Sequence, residues 1–191
     1  MIKIKRETMA MARYAAFLRA INVGGHNVKM EHLRSLFEEM GFSDVKTFIA
    51  SGNVIFNSNG EDVTALEHKI EKSLKEALGY SVAVFIRSID ELKEIAECRP
   101  LMDKRADVET EGSSIYIGFL KDDPGESVKK KLIALQTENE EFRFSGKELY
   151  WLCRVKFSES LFSGPLLEKT LGMQITVRNL TTVKKMVSKF S

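Results

Sequence analysis

The sequence predicts an α+β fold built from two tandem βαββαβ units, each followed by one extra helix. Three observations predict it. Strand-like and helix-like segments succeed one another in the order strand, helix, strand, strand, helix, strand, and that order occurs twice. Matching residues hold the same place in both copies: Tyr14-x-x-Phe17-Leu18-Arg19 with Tyr116-x-x-Phe119-Leu120-Lys121, Ser51-Gly52 with Ser145-Gly146, Leu78-Gly79 with Leu171-Gly172, and Arg87-Ser88 with Arg178-Asn179. Their separation shrinks steadily along the chain, as a duplication with shorter loops in its second copy would give. Each copy then closes on an amphipathic segment, Ser88 onward in the first and Leu180 to Phe190 in the second.

In the first copy Tyr14 to Ile21 is strand-like, and Leu33, Leu36, Phe37 and Met40 form a helical stripe closed by Gly41. Val45 to Ala50 and Asn53 to Asn57 read as a hairpin joined through Ser51-Gly52. Val63, Leu66, Ile70, Leu74 and Leu78 recur at helical spacing up to Gly79, and Val82 to Arg87 is the fourth strand. Ser88 with Glu91 resembles a capping box for a helix carrying Leu92, Ile95 and Ala96, which Arg99-Pro100 stops. In the second copy Ile115 to Leu120 is a strand and Val128 to Leu135 a helix, followed by a hairpin of Phe142 to Phe144 and Glu148 to Val155. Helix Leu161 to Leu171, strand Gln174 to Arg178 and helix Leu180 to Phe190 complete it.

A βαββαβ unit forms a four-stranded antiparallel sheet with both crossover helices on one face, the ferredoxin-like arrangement. Ala16 and Leu18 alternate with Phe17 and Ile21, and Val82, Val84 and Ile86 alternate with Ala83 and Phe85, so both faces of these strands are apolar and both should be buried. The extra helices and the partner repeat are the expected covers. The predicted organisation is an N-terminal extension over 1–13, a first subdomain over 14–100, a linker over 101–112 and a second subdomain over 113–191.

With 191 residues and 43% hydrophobic content, the chain can build an ordinary core. Lys+Arg 29 against Asp+Glu 27 leaves a formal charge of +2, so no overall field points to nucleic acid or an anionic membrane. Cys98 and Cys153 show neither C-x-x-C nor Cys/His spacing, so neither a disulfide framework nor a metal site is expected, and a reducing cytoplasm fits. No apolar run reaches the ~18 residues of a membrane span.

Chemistry is expected where Phe17-Leu18-Arg19-Ala20-Ile21-Asn22-Val23-Gly24-Gly25 leaves its strand. Glycines let the backbone approach a bound group, and a following helix start near Asn27 offers N–H groups to an anion. In a ferredoxin-like sheet the end of the first strand and the turn between the second and third strands share one edge. Arg19, Asn22, Gly24 and Gly25 should therefore face Ser51, Gly52 and Asn53, a set suited to a phosphate, a nucleotide fragment or a carboxylate. Arg178 and Asn179 are candidate assistants from the second copy. Singly, these residues are also what turns and helix caps use. His26, in the glycine loop, is the histidine placed to donate a proton, although surface histidine is the commoner role.

No G-x-G-x-x-G, Walker loop or paired nucleophile and base is present, so no cofactor or reaction is indicated. An RNA-recognition module shares the element order, but Asn53-Val54-Ile55-Phe56-Asn57 lacks the aromatic platform that base stacking needs. An accessory module binding protein or nucleic acid through Arg178, Lys184, Lys185 and Lys189 is the alternative function. The buried stripe Leu180, Val183, Met186, Val187 and Phe190 makes those lysines an ordinary solvated face.

Three ordered segments resemble one bacterial family, the domain of unknown function 1697: Phe17 to Gly25, Ser51-Gly52-Asn53-Val54-Ile55-Phe56, and Thr176-Val177-Arg178-Asn179-x-Thr181-Thr182-Val183. The resemblance runs from about Tyr14 over most of the chain and implies a duplicated ferredoxin-like fold, with no biochemistry attached. Leu180 stands where the family usually has tryptophan, and Leu152 to Phe162 lacks its usual Tyr-Pro and glycine-rich stretch.

Overall fold

A computed structural model describes residues 11–22, 25–49, 52–108 and 112–191. The chain divides into two compact units between Ser88 and Ile89. The first contains β1 (Ala12–Leu18), α1 (Met30–Glu39), β2 (Ser43–Thr47), β3 (Asn53–Ser58), α2 (Val63–Leu78) and β4 (Val84–Ser88). Its antiparallel sheet has the order β2-β3-β1-β4. The second contains α3 (Ile89–Glu97), a 3₁₀ segment (Arg99–Val108), β5 (Ser114–Phe119), α4 (Glu126–Ile133), β6 (Glu140–Ser145) and β7 (Glu148–Cys153), then α5 (Gly164–Leu171), β8 (Thr176–Asn179) and α6 (Leu180–Phe190). Its sheet order, β6-β7-β5-β8, repeats the first. The predicted duplication of a ferredoxin-like α+β unit is therefore the architecture, and the first extra helix, α3, packs with the second unit.

The repeat matches fall at equivalent structural positions. Gly79 and Gly172 both end a helix in the left-handed region, at φ 80° and 69°, where a side chain would be strained. Arg87 and Arg178 lie on the fourth strand of each sheet, across from Ala15 and Ile117 of the central strand.

In the first unit Leu18, Val54, Phe56, Val84 and Ile86 pack with Leu33 and Phe37 of α1 and Leu66, Ile70 and Leu74 of α2. Ala15, Phe17, Ile55, Phe85 and Arg87, pointing the other way along the same strands, are also buried, as the two-sided apolar pattern predicted. In the second unit Phe142, Leu149 and Trp151 pack with Leu132 of α4 and Leu167 and Leu171 of α5. On its other face α6 packs on β5 and α3.

Element ends differ from the sequence expectation where a non-glycine residue turns left-handed. β1 stops at Leu18 rather than Ile21, because Ala20 adopts φ 56°. β2 stops at Thr47 rather than Ala50, with Ile49 at φ 51°. Neither residue type advertises that conformation. The polar run from Asp103 carries 3₁₀ turns to Val108 and, with the turns from Arg99, packs near β6 and β7. Among the described residues no helix is long and apolar enough to cross a membrane.

Candidate functional site

At the end of β1 the backbone remains paired on both sides: the Leu18 N–H donates to Gly52 O at 2.8 Å and the Arg19 N–H to Ala83 O at 2.9 Å. The β1 end, the β2–β3 turn and the approach to β4 therefore meet at one edge of the sheet. Gly52 sits so close that a Cβ there would lie 2.8 Å from Ile21 Cγ2 and 3.2 Å from Leu18 Cβ, and its φ is 72°. Only glycine fits both demands.

The side chains of the edge have structural duties. Asn22 Oδ1 accepts the Val28 N–H at 2.7 Å and its amide donates to Val28 O at 3.5 Å, so the carboxamide closes the loop as a strand partner would. Asn53 is fully buried, and its side-chain amide donates to Phe48 O at 3.0 Å while its backbone carbonyl accepts the Phe48 N–H at 2.9 Å. Arg19 is half-buried, and Gly25 is exposed at φ 88° with open space beside it. Gly24 and Ser51 lie outside the described residues. The helix expected near Asn27 begins at Met30, with Lys29 at the cap position and no side chain capping it.

Two other candidates belong to the second unit. Arg178 donates to Thr176 Oγ1 and Val177 O, both at 2.9 Å, and burial pulls its pKa down to about 10. Asn179 caps α6, its Oδ1 accepting the Thr181 N–H at 2.8 Å. The structure thus brings Arg19, Asn22, Gly25, Gly52 and Asn53 to one edge of the first sheet, and Arg178 and Asn179 to the β8–α6 junction of the second unit.

Beside the glycine loop lies an open depression of about 540 Å³ lined by Gly25, His26, Asn27, Lys29, His32 and Tyr80 over an apolar floor. His26 stacks on Tyr80, ring centres 3.7 Å apart and planes at 18°. The Tyr80 hydroxyl donates to Ile21 O at 3.0 Å, and burial raises its pKa. Among the described residues no carboxylate lines the depression. Lys29, His32 and Tyr80 were absent from the sequence expectation, yet the topology contained the signal. β4 runs antiparallel to β1, so the α2–β4 connection carrying Tyr80 must return to the edge where β1 ends.

The matching loop of the second unit is closed by opposite charges. Asp123 accepts the Gly125 N–H and the Lys129 ammonium, each at 2.8 Å, and Lys129 also reaches Glu126 at 3.2 Å. The bond from Lys129 holds the Asp123 carboxyl below its usual range, and the bond to Asp123 holds the Lys129 ammonium above its own. Of the two strand-to-helix loops, the second closes on its own ion pairs, while the first borders the carboxylate-free depression.

This fold and these loops are those of a duplicated α+β protein with an open polar edge on its first unit. The family model described as "Protein of unknown function (DUF1697)" matches residues 11–150, and the chain belongs to that family. The match ends before the Leu152 to Phe162 stretch that departs from the family pattern. A conserved bacterial protein, SP0830 from Streptococcus pneumoniae, has a similar solved structure, with a TM-score of 0.66 and 24% identity over 95% of this chain and 100% of that one. No curated protein matches the chain.

Proposed function

We propose that the first unit binds a small anionic ligand, a phosphate, nucleotide or carboxylate, at the edge formed by Arg19, Asn22, Gly24, Gly25, Ser51, Gly52 and Asn53. The observation that carries this reading is the make-up of the adjoining depression, where among the described residues Lys29, His26 and His32 supply the ionisable groups besides the Tyr80 phenol and no carboxylate opposes them. Asn22 and Asn53 hold the two loops in shape, and recognition falls to loop N–H groups and to the cationic side chains. Tyr80 and the stacked His26 offer a flat face to a planar portion of the ligand.

Thermal-shift titration with inorganic phosphate, adenosine monophosphate and malonate tests it. At a hundredfold excess over Kd a ligand stabilises by about 2.7 kcal/mol. Stabilisation by one of these anions should disappear in Arg19→Ala and Lys29→Ala while the melting temperatures of the unliganded variants stay near the wild-type value. Equal stabilisation of all three proteins, or of none, would sink the reading.

A further inference from the structure

The depression beside the glycine loop is larger than a bare anion needs. At about 540 Å³ it falls within the ~300–1,000 Å³ range of small-molecule sites. Its lining is also of two kinds. Lys29 and His32 stand at the start of α1, whereas Ala77 and Leu78 close α2 and, with Val28, form the apolar floor from which Tyr80 follows.

Tyr80 and His26 have the form of a stacking platform. Tyr80 packs against the core of the first unit and its hydroxyl donates to Ile21 O at 3.0 Å, so its ring is anchored by packing and by a hydrogen bond. His26 lies on that ring with centres 3.7 Å apart and planes at 18°, and yet it is exposed. Tyr80 covers one face of the imidazole, so the exposure falls on the other face and on the ring edges. A flat face open to solvent and backed by an anchored ring is what a nucleobase stacks on.

Asn27 supplies the group that tells a base from a plain aromatic ring. It lines the same depression, next in the chain to His26, and its carboxamide makes no hydrogen bond among the described residues. One carbonyl and two N–H donors suit the mixed edge of a base, whereas the carboxamides of Asn22 and Asn53 are engaged by loop backbone.

We propose that the ligand of this edge is a nucleoside monophosphate, its base stacked on the open face of His26 with Asn27 at the base edge, and its phosphate beside Lys29 and His32. This rests on the reading that the edge binds a small anion, and it narrows that reading to an anion carrying a base.

Isothermal titration calorimetry of the full chain with adenosine monophosphate, ribose 5-phosphate and inorganic phosphate separates the base from the anion. Adenosine monophosphate should bind about 5- to 150-fold more tightly than ribose 5-phosphate, the contribution of one stacked base. His26→Leu, whose branched side chain still covers Tyr80 but has no flat face, should bring the two affinities together. His26→Phe, which restores a ring, should restore the preference. Equal affinity of the wild type for adenosine monophosphate and ribose 5-phosphate would overturn the nucleotide and leave the anion reading standing. A preference that His26→Leu keeps, or that His26→Phe fails to restore, would overturn the His26 stack. Binding of none of the three probes would overturn this proposal together with the anion reading.

Discussion

Gly52 shows how much one residue carries at the candidate edge. The sequence marks it as hairpin chemistry, which its φ of 72° bears out. Its second duty, leaving room for Ile21 and Leu18, comes from a strand more than thirty residues earlier, and no local pattern encodes it. Gly52→Ala therefore meets two penalties, a left-handed backbone and a 2.8 Å contact. We expect a loss of about 1–3 kcal/mol in urea denaturation with the slope unchanged. A midpoint equal to that of the wild type would show that the turn relaxes away from Ile21. Asn22 and Asn53 teach the complementary lesson. They look like ligand-binding residues in sequence because carboxamides suit polar ligands, but a carboxamide also mimics a peptide group, and here both bond to loop backbone. Left-handed Ala20 and Ile49 were illegible for a related reason: each directly follows a residue whose backbone is paired, Arg19 with Ala83 and Phe48 with Asn53, and neither residue type prefers that conformation by itself.

At the scale of elements, the periodicity of α2 gave its span correctly, from Val63 to the Gly79 cap, because five apolar positions and a glycine stop agree. The glutamates flanking that stripe would be read as solvated, yet they are not. Glu71 Oε1 accepts the Val84 N–H and Glu67 Oε1 the Ile86 N–H, each at 2.9 Å, so α2 covers the outer backbone of edge strand β4. In the second unit Glu168 of α5 accepts the Ile175 N–H just before edge strand β8, and Gln136 accepts the Phe142 N–H of edge strand β6. Helix-borne carboxylates thus hold N–H groups at the fourth strand in both copies, which protects an edge from pairing with other chains. Glu67 is 4% exposed, so Glu67→Ala would leave a buried N–H without that acceptor and cost about 1.5–3 kcal/mol, whereas Glu67→Gln retains an acceptor and should cost less. Hydrogen exchange at Ile86 checks this. Faster exchange in the alanine variant than in the glutamine variant is expected, and equal protection in both would mean that the carboxylate does not hold the strand.

For the whole molecule, the duplicated topology was legible because it rests on element order, which survives errors of two or three residues at every boundary. The carboxylate-free depression was only half legible: its glycine loop is a sequence motif, but Tyr80 joins it through strand direction. Burial of ionisable groups is less legible still, and it has a consequence for stability in alkali. The Tyr150 phenol is raised above its ordinary value of 10.0, first by burial and then by the neighbouring Glu148. Above that pH the unfolded chain releases the phenolic proton while the folded chain keeps it, so the stabilisation is complete below pH 10 and declines as pH rises. One retained proton corresponds to about 1.4 kcal/mol per pH unit. Arg178 pulls the other way, because its lowered pKa of about 10 lets the folded state release a proton first. The contrast with Tyr150→Phe removes that opposing contribution, since Arg178 is present in both proteins. Between pH 10 and pH 11, where the unfolded phenol goes from half to almost fully ionised, the wild type should therefore lose about 1 kcal/mol more stability than Tyr150→Phe in urea denaturation. Parallel pH profiles would show that the phenol ionises as freely in the folded protein as in the unfolded chain.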